Sequence, residues 1–399
     1  MWGLNNSVVS ITMVSRYAEL GVDVHKKGIE VFKAISHSLF PYAFCNVGED
    51  PDLPGYGLTL HTDGAGSKPV ISYLLWRETG SVEGYKNLAQ DVLAMNIDDV
   101  ACVGAKPIRF VDYVALNKFK VPREQVLDAL SLGFSECLTH LKNHGLNVRF
   151  AGGETADLPD QLRTLDVSGT VLGRVKLSEA VTGANVKPSN VIVGLGSGGK
   201  TRYEKAENSG IMCNGITLAR KCLLKRDYAV KYPEVCDPEA KGYYGRFDVD
   251  TYVDEEDLGM TVGEALTSPT RIFTPVLIRV LEKYGSCITG LVHNTGGGMT
   301  KCLKLGRNVH YVKDAVISIE PIFRLIQKES HEDWRSMFED FNMGIGFEIM
   351  LDVECVDEVL SLVEGFGLKA QVLGRCEAAD GRNRLTIRSP FGVFNYEGS

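Results

Sequence analysis

The sequence contains no C-x-x-C pair and no Cys/His cluster at zinc spacing, so its ten cysteines give no local sign of a zinc module or a dithiol redox motif. Read as small apolar side chains, they are expected to be reduced and mostly buried, as in a cytoplasmic protein. No apolar run approaches the roughly 20 residues that span a bilayer, which argues against a membrane partner. Met1 to Thr12 lack the basic start and long apolar stretch of a signal peptide, so residues 1–15 read as an untethered tail, with Met13 as an alternative start. No lysine or arginine run is long enough to follow a phosphate backbone, and 43 basic against 51 acidic residues leave a net charge of -8. Nucleic acid is therefore a poor partner. A small anionic substrate would need local positive charge, from a metal ion or a few placed Lys and Arg residues.

What is present is an ordinary globular composition, 44% hydrophobic and 24% charged over 399 residues, enough for more than one core. Two α+β domains are expected. The first covers residues 16–187. Its strands are Gly57 to Thr62, Ile108 to Leu116, Val148 to Ala151 and Thr164 to Val175, and a helix over Lys86 to Val103 stops at Gly104. Pro122 opens a second helix that carries Val126, Leu130, Phe134, Leu138 and Leu141 on one face and ends at Gly145. The polar stretch Val186 to Asn190 marks the boundary. The second domain, 188–399, has strands at Asn190 to Leu195, Phe347 to Leu351, Gln371 to Leu373 and Leu385 to Ile387. It also has helices over Cys213 to Leu224 and from a Ser268-Pro269 cap to Tyr284. Residues 225–263 are polar and irregular, and read as a functional loop or an insertion.

Three acidic elements carry the chemistry. In His61-Thr-Asp-Gly-Ala-Gly-Ser-Lys68 a strand ends in an aspartate, then glycines whose bare backbone admits a ligand closely, then a lysine suited to a phosphate oxygen. In the helix, Asp91 and Asp98 lie within about 20° of each other on one face, with Asn87 one turn earlier. Neither has a basic residue three or four positions away, so the stripe either holds a cation or is a solvated face. The third element, Ala151-Gly-Gly-Glu-Thr-Ala-Asp-Leu-Pro159, again runs a strand into glycines and acids. Hard oxygen donors of this kind suit Mg²⁺ bridging to nucleotide phosphates, the alternative being that Glu154 caps a turn.

Gly194-Leu-Gly-Ser-Gly-Gly-Lys-Thr201 satisfies the P-loop pattern and comes after an apolar strand. A true P-loop needs a helix directly afterwards, and Arg202 to Gly210 is short and polar, which favours a flexible phosphate-facing loop instead.

At these residues the chain resembles the aminoimidazole ribonucleotide synthetase (phosphoribosylformylglycinamidine cyclo-ligase) family from Tyr17 onward. Tyr17-Ala-Glu-Leu-Gly-Val-Asp23 is similar to Y-x-x-x-G-V-D, Thr62-Asp-Gly-Ala-Gly-Ser-Lys68 to T-D-G-V-G-T-K, and Asp91 to Asp99 to D-x-V-A-M-x-x-N-D. Gly104 to Pro107 with Asp112-Tyr113, and Gly152-Gly-Glu-Thr-Ala156, match G-A-x-P with D-Y and G-G-E-T-A. Asn214-Gly215, Pro269-Thr-Arg-Ile272, His293-Asn-Thr-Gly-Gly-Gly298 and Phe341-Asn-Met-Gly-Ile-Gly346 come in the family's order. The chain departs from the pattern at three places. Ile211-Met-Cys-Asn-Gly215 stands where the family has P-H-S-N-G, with an insertion at 200–209 before it; Cys45 to Asp52 replaces a glycine-rich segment; and Asp98 replaces an asparagine.

The resemblance implies a two-domain α+β fold unrelated to the ATP-grasp fold, and a homodimer whose N-terminal sheets pair in a barrel. It implies a cytoplasmic ATP- and Mg²⁺-dependent ligase that acts on formylglycinamidine ribonucleotide in purine biosynthesis. Carried over residue by residue, Asp63, Asp91, Asp99 and Glu154 hold the metal, and Gly64, Gly66, Gly152, Gly153 and Thr155 line the nucleotide with them. Lys68 meets phosphate and joins Asp63 and His293 as a catalytic group. Asn214, His293, Gly296, Gly297 and Gly298 line the substrate groove. His293 could equally be a hydrogen-bonded turn residue. Arg271 is open between substrate phosphate and a structural ion pair. Thiamine-monophosphate kinase, selenophosphate synthetase and hydrogenase-maturation enzymes are alternatives of the same superfamily, and a non-catalytic nucleotide-binding protein is an alternative of another class.

Overall fold

The computed structural model describes residues 16–22, 28, 30–33, 35–254, 256–315 and 318–398; the expected tail at 1–15 and Asp23 of the first motif lie outside the described residues. Five strands make the first sheet: β1 (Gly48–Glu49), β2 (Tyr56–Gly64), β3 (Lys106–Leu116), β4 (Arg149–Asp157) and β5 (Leu165–Lys176), in the order β1-β2-β5-β3-β4. All neighbours are antiparallel except β3 and β4, whose parallel pairing requires a long crossover. Three helices accompany the sheet, α1 (Lys68–Thr79), α2 (Glu83–Ala101) and the crossover α3 (Arg123–Asn143).

β5 alternates buried and more exposed residues along its length, so one face of the sheet meets the core. α2 lies on that face against β2 and β5. Every residue from Asp91 to Ala101 is buried, polar ones included, which makes α2 a central helix and overturns the solvated-face reading. The other face is open, with Leu60 at 68% and Tyr113 at 39% exposure, and the edge strand β4 is exposed along almost its whole length.

The second sheet takes β6 (Val191–Gly196), β9 (Ile288–His293), β10 (Val309–Lys313), β11 (Ile345–Leu351), β12 (Ala370–Ala378), β13 (Arg384–Ser389) and β14 (Gly392–Glu397), in the order β14-β13-β10-β12-β6-β11-β9. A small pair, β7 (Gly198–Gly199) and β8 (Asn208–Ser209), comes after β6. Helices α4 (Ile216–Leu223), α5 (Val262–Thr267) and α6 (Thr274–Tyr284) lead back towards the first sheet.

Three expectations are corrected. The helix placed after Ser268-Pro269 starts only at Thr274, because buried aspartates of α2 take the intervening amides: Thr270 N donates to Asp91, and Phe273 N and Thr274 N donate to Asp98. The 225–263 segment is not irregular throughout: it carries a short helix at Asp227–Lys231, Tyr228, Tyr232, Tyr243, Phe247 and Val249 are buried in the main core, and a Thr261/Glu264 capping box starts α5. Finally, the cysteines are not all reduced. Cys287 and Cys355 form a disulfide, with Cα atoms 6.5 Å apart at the entry to β9 and just beyond β11.

Candidate functional site

Loops far apart in the chain meet where α2 lies between the two sheets. Ser67 Oγ is 3.0 Å from Thr217 Oγ1, which ties the 63–68 loop to the start of α4. Asn214 Nδ2 donates to Asn294 O at 2.9 Å and so ties that same region to the 293–298 loop. Gly298, in a left-handed conformation at φ 48°, could not carry a Cβ, which would stand 2.3 Å from Phe341 O. Gly296 is exposed and Gly297 partly so, leaving backbone at the surface of this loop.

The acidic residues divide into separate sites. Asp91 Oδ1 accepts Lys68 Nζ at 2.7 Å, Thr270 N at 2.8 Å, Thr270 Oγ1 at 2.7 Å and Cys213 Sγ at 3.3 Å, while its Oδ2 is buried with no partner. Lys68 is fully buried and also donates to Ser268 O, so it is not placed to meet a phosphate; withdrawing it would strand a buried charge. Asp98 accepts the first amides of α6 and Thr274 Oγ1, serving as an N-terminal cap from another helix. Burial raises its pKa to about 6 against the lowering effect of His293 and these donors.

Asp99 is held between two imidazoles, with His293 Nδ1 2.8 Å from Oδ1 and His61 Nε2 3.1 Å from Oδ2. Burial opposes ionisation, but the two histidines outweigh it and hold this carboxyl well below the usual range. His293 itself is fully buried against Phe273 and Phe347, and its Nε2 has no partner. It reads as a positioning residue for Asp99 and the loop after β9, rather than one exposed to substrate.

Asp63, the last residue but one of β2, is partly exposed, with its Oδ1 accepting the Gly64 amide at 2.8 Å and its carbonyl accepting Asn96 Nδ2. Glu154 lies on the exposed edge strand β4. Pairing of Asp63 with Gly169, Gly169 with Asp112, and Asp112 with Gly153 puts three inter-strand spacings, roughly 14 Å, between the two backbones. The four carboxylates assigned to one ion are therefore not gathered in one chain. Gly153 has a local reason to be glycine, because a Cβ there would stand 1.6 Å from Asp112 Oδ1.

Arg271 turns away from any phosphate. Its guanidinium, 1% exposed, donates to Glu204 and to the carbonyls of Gly196, Gly198 and Gly199. That fixes the glycine-rich loop through its carbonyls. Beyond Thr201 the chain makes a turn leading to β8, with no helix to cradle an anion, so the P-loop reading is excluded. Met212, in place of the family's histidine, is buried beside Phe273 and Phe347.

Four further polar residues, His61, Asn96, Lys313 and Glu348, belong to the site without being among those the sequence points to. His61 shares a strand face with Asp63 through the two-residue period, and that signal is legible. Lys313 and Glu348 form a fully buried pair at 2.6 Å, and Glu348 also accepts Asn294 Nδ2, so the pair braces the 293–298 loop from below. Nothing local in the sequence marks it.

Residues 48–175 match the family described as AIR synthase related protein, N-terminal domain. The chain is 31% identical over 366 residues to a phosphoribosylformylglycinamidine cyclo-ligase of Methanocaldococcus jannaschii, covering 90% of this chain and 91% of that one. It is 32% identical over 382 residues to one of Carboxydothermus hydrogenoformans, covering 92% and 97%. Among solved structures, the hydrogenase maturation protein HypE in complex with ATP is similar at TM-score 0.54 and 15% identity, over 88% of this chain and 87% of that one. Thiamine-monophosphate kinase from Stenotrophomonas maltophilia is similar at TM-score 0.52 and 16% identity, over 85% and 87%. These two share the fold. Among the described residues no helix is long and apolar enough to cross a membrane. With full-length similarity at this level, and the motif loops converging as they do, the chain belongs to the phosphoribosylformylglycinamidine cyclo-ligase (aminoimidazole ribonucleotide synthetase) family.

Proposed function

We propose that the protein is a phosphoribosylformylglycinamidine cyclo-ligase of purine biosynthesis, closing the imidazole ring of formylglycinamidine ribonucleotide at the expense of ATP. The observation that carries this reading is the convergence of the 63–68, 213–217 and 293–298 loops in a chain 31% identical to a cyclo-ligase along 90% of its length. An amide oxygen leaves poorly. Transfer of the γ-phosphoryl group to that oxygen makes it a phosphate leaving group; the amidine-side nitrogen then attacks the carbon, the C–N bond forms and the C–O bond breaks. Such chemistry depends on positioning and charge neutralisation more than on a protein nucleophile.

Asp63, partly exposed at the 63–68 loop, is a hard oxygen donor of the kind a magnesium ion takes. Bound there, the ion would neutralise triphosphate charge. Asn214 orients the substrate loop, exposed Gly296 and partly exposed Gly297 offer backbone to the substrate, and the His293–Asp99 pair holds the loop's first residue.

The reading includes a homodimer. Its support is the open sheet face bearing Leu60, Val111 and Tyr113, beside the edge strand β4, which is exposed along almost its whole length. The nucleotide role given to Gly152, Gly153, Glu154 and Thr155 then requires a second chain facing β4. A cytoplasmic location belongs to this same reading. The test is incubation with ATP, Mg²⁺ and formylglycinamidine ribonucleotide, with ADP and aminoimidazole ribonucleotide measured together. ADP formed only with another acceptor would move the protein to a different branch of the superfamily, a reading favoured by Met212 at the histidine position.

A further inference from the structure

The contact between His61 and Asp99 demands a positive charge. Asn96 Nδ2 donates to Asp63 O at 3.2 Å and to Val92 O at 2.8 Å, which fixes the amide orientation and leaves Asn96 Oδ1 as the acceptor facing His61 Nδ1 at 3.1 Å. His61 therefore keeps a proton on Nδ1 and turns Nε2 to Asp99 Oδ2, 3.1 Å away. In a neutral imidazole Nε2 is a lone pair, and a lone pair facing a carboxylate oxygen is repulsive. Either a second ring proton or a metal cation resolves it.

A third donor stands beside this pair. Cys45 is a free thiol whose Sγ donates to the Asp99 carbonyl at 3.2 Å, and one ligand atom each from Cys45, His61 and Asp99 lie within 4.8 Å of one another. The three come from the segment before β1, from β2 and from α2. Cys45 lies where the chain departs from the family's glycine-rich segment, outside the motifs that carry the resemblance.

We propose that Cys45, His61 and Asp99 form a binding site for a borderline-soft divalent ion of the zinc class. Sulfur, nitrogen and oxygen donors together match that class and mismatch magnesium, which takes oxygen. With bonds of about 2.0–2.3 Å, tetrahedral ligands stand roughly 3.5 Å apart, so the side chains need to close by about 1 Å. The supporting contacts are in place: Asn96 orients the His61 ring, and His293 holds the other oxygen of Asp99. Cys45 and His61 are partly exposed, whereas Asp99 is buried. Binding displaces the Cys45 thiol proton and the second ring proton of His61 to solvent, which balances the charge of the incoming ion.

The inference stands on these donors alone and does not require the cyclo-ligase reading. Its test is titration of the metal-free full chain with Co²⁺ in the absence of nucleotide. The expected result is one equivalent bound, with a thiolate-to-cobalt charge-transfer band and tetrahedral d–d bands. Cys45→Ser should abolish the charge-transfer band, His61→Gln should weaken binding about tenfold or more, and Cys213→Ser should leave the band unchanged. In the unaltered chain Zn²⁺ should slow alkylation of Cys45, a readout that needs no variant. Absence of a thiolate band, a band that survives Cys45→Ser, or alkylation indifferent to Zn²⁺ would overturn the assignment. Because ADP and ring formation are assayed separately with Mg²⁺, failure of either test is distinguishable from failure of the other.

Discussion

Replacing Arg271 tests whether this buried guanidinium serves structure or substrate. All five of its N–H donors are used: two on the Glu204 carboxylate, at 2.8 and 2.7 Å, and three on carbonyls of the 196–199 loop, at 2.7 to 2.9 Å. Arg271→Ala strands a largely buried carboxylate and three carbonyls, at a cost on the order of 3–5 kcal/mol. At about 2–4 °C per kcal/mol for a cooperative unit of this size, the melting temperature should fall by roughly 10 °C. Arg271→Lys keeps the charge but not the planar fork, and should lose about half as much. Glu204→Gln combined with either change should cost less than the sum of the single changes, since the partners are already lost. The assay is urea and thermal unfolding of each variant, alongside KM for the phosphorylated substrate. A melting temperature within about 2 °C of the parent together with a raised KM would refute the argument and return Arg271 to substrate phosphate.

Two other outcomes rest on the same geometry. Lys200→Ala, at an exposed residue in a loop with no helix behind it, should change Mg-ATP affinity by less than about twofold in calorimetry; loss of nucleotide binding would revive the P-loop. Asp340 is buried near Glu339, Glu332 and Asp333, and burial, with help from these like charges, pushes its pKa up to about 8. An acid whose folded pKa lies above its unfolded value favours the folded state at low pH and loses that contribution as pH rises towards 8. Asp340→Asn should therefore gain on the order of 3 kcal/mol relative to the parent between pH 5 and pH 8 in urea titrations, and parallel pH profiles would contradict this.

Much of the fold can be read in the chain. Strand alternation in β5 and in the first part of β2 and the apolar runs of β6 and β11 are local patterns, and they survive because the structure buries what they predict to be buried. The helix after Ser268 begins later than its local signals predict, for a non-local reason. The amides of Thr270, Phe273 and Thr274, before and at its start, are held by aspartates 175 to 179 residues earlier, at 2.7 to 3.1 Å, and no window of sequence contains both partners.

The amino-acid sequence by itself carried the motifs by which the chain resembles the family, their order, and the residue types available for binding an anion and its counter-ion, because all of these are written in the order of residues along the chain. Which carboxylate does what was decided only by folding. Asp91, Asp98 and Asp99 sit on one buried helix, yet one pairs with Lys68, one caps α6 and one is shared by two histidines. Their roles depend on what the rest of the chain lays against each turn of α2, and burial gives those neighbours their weight by removing the water that would otherwise screen them.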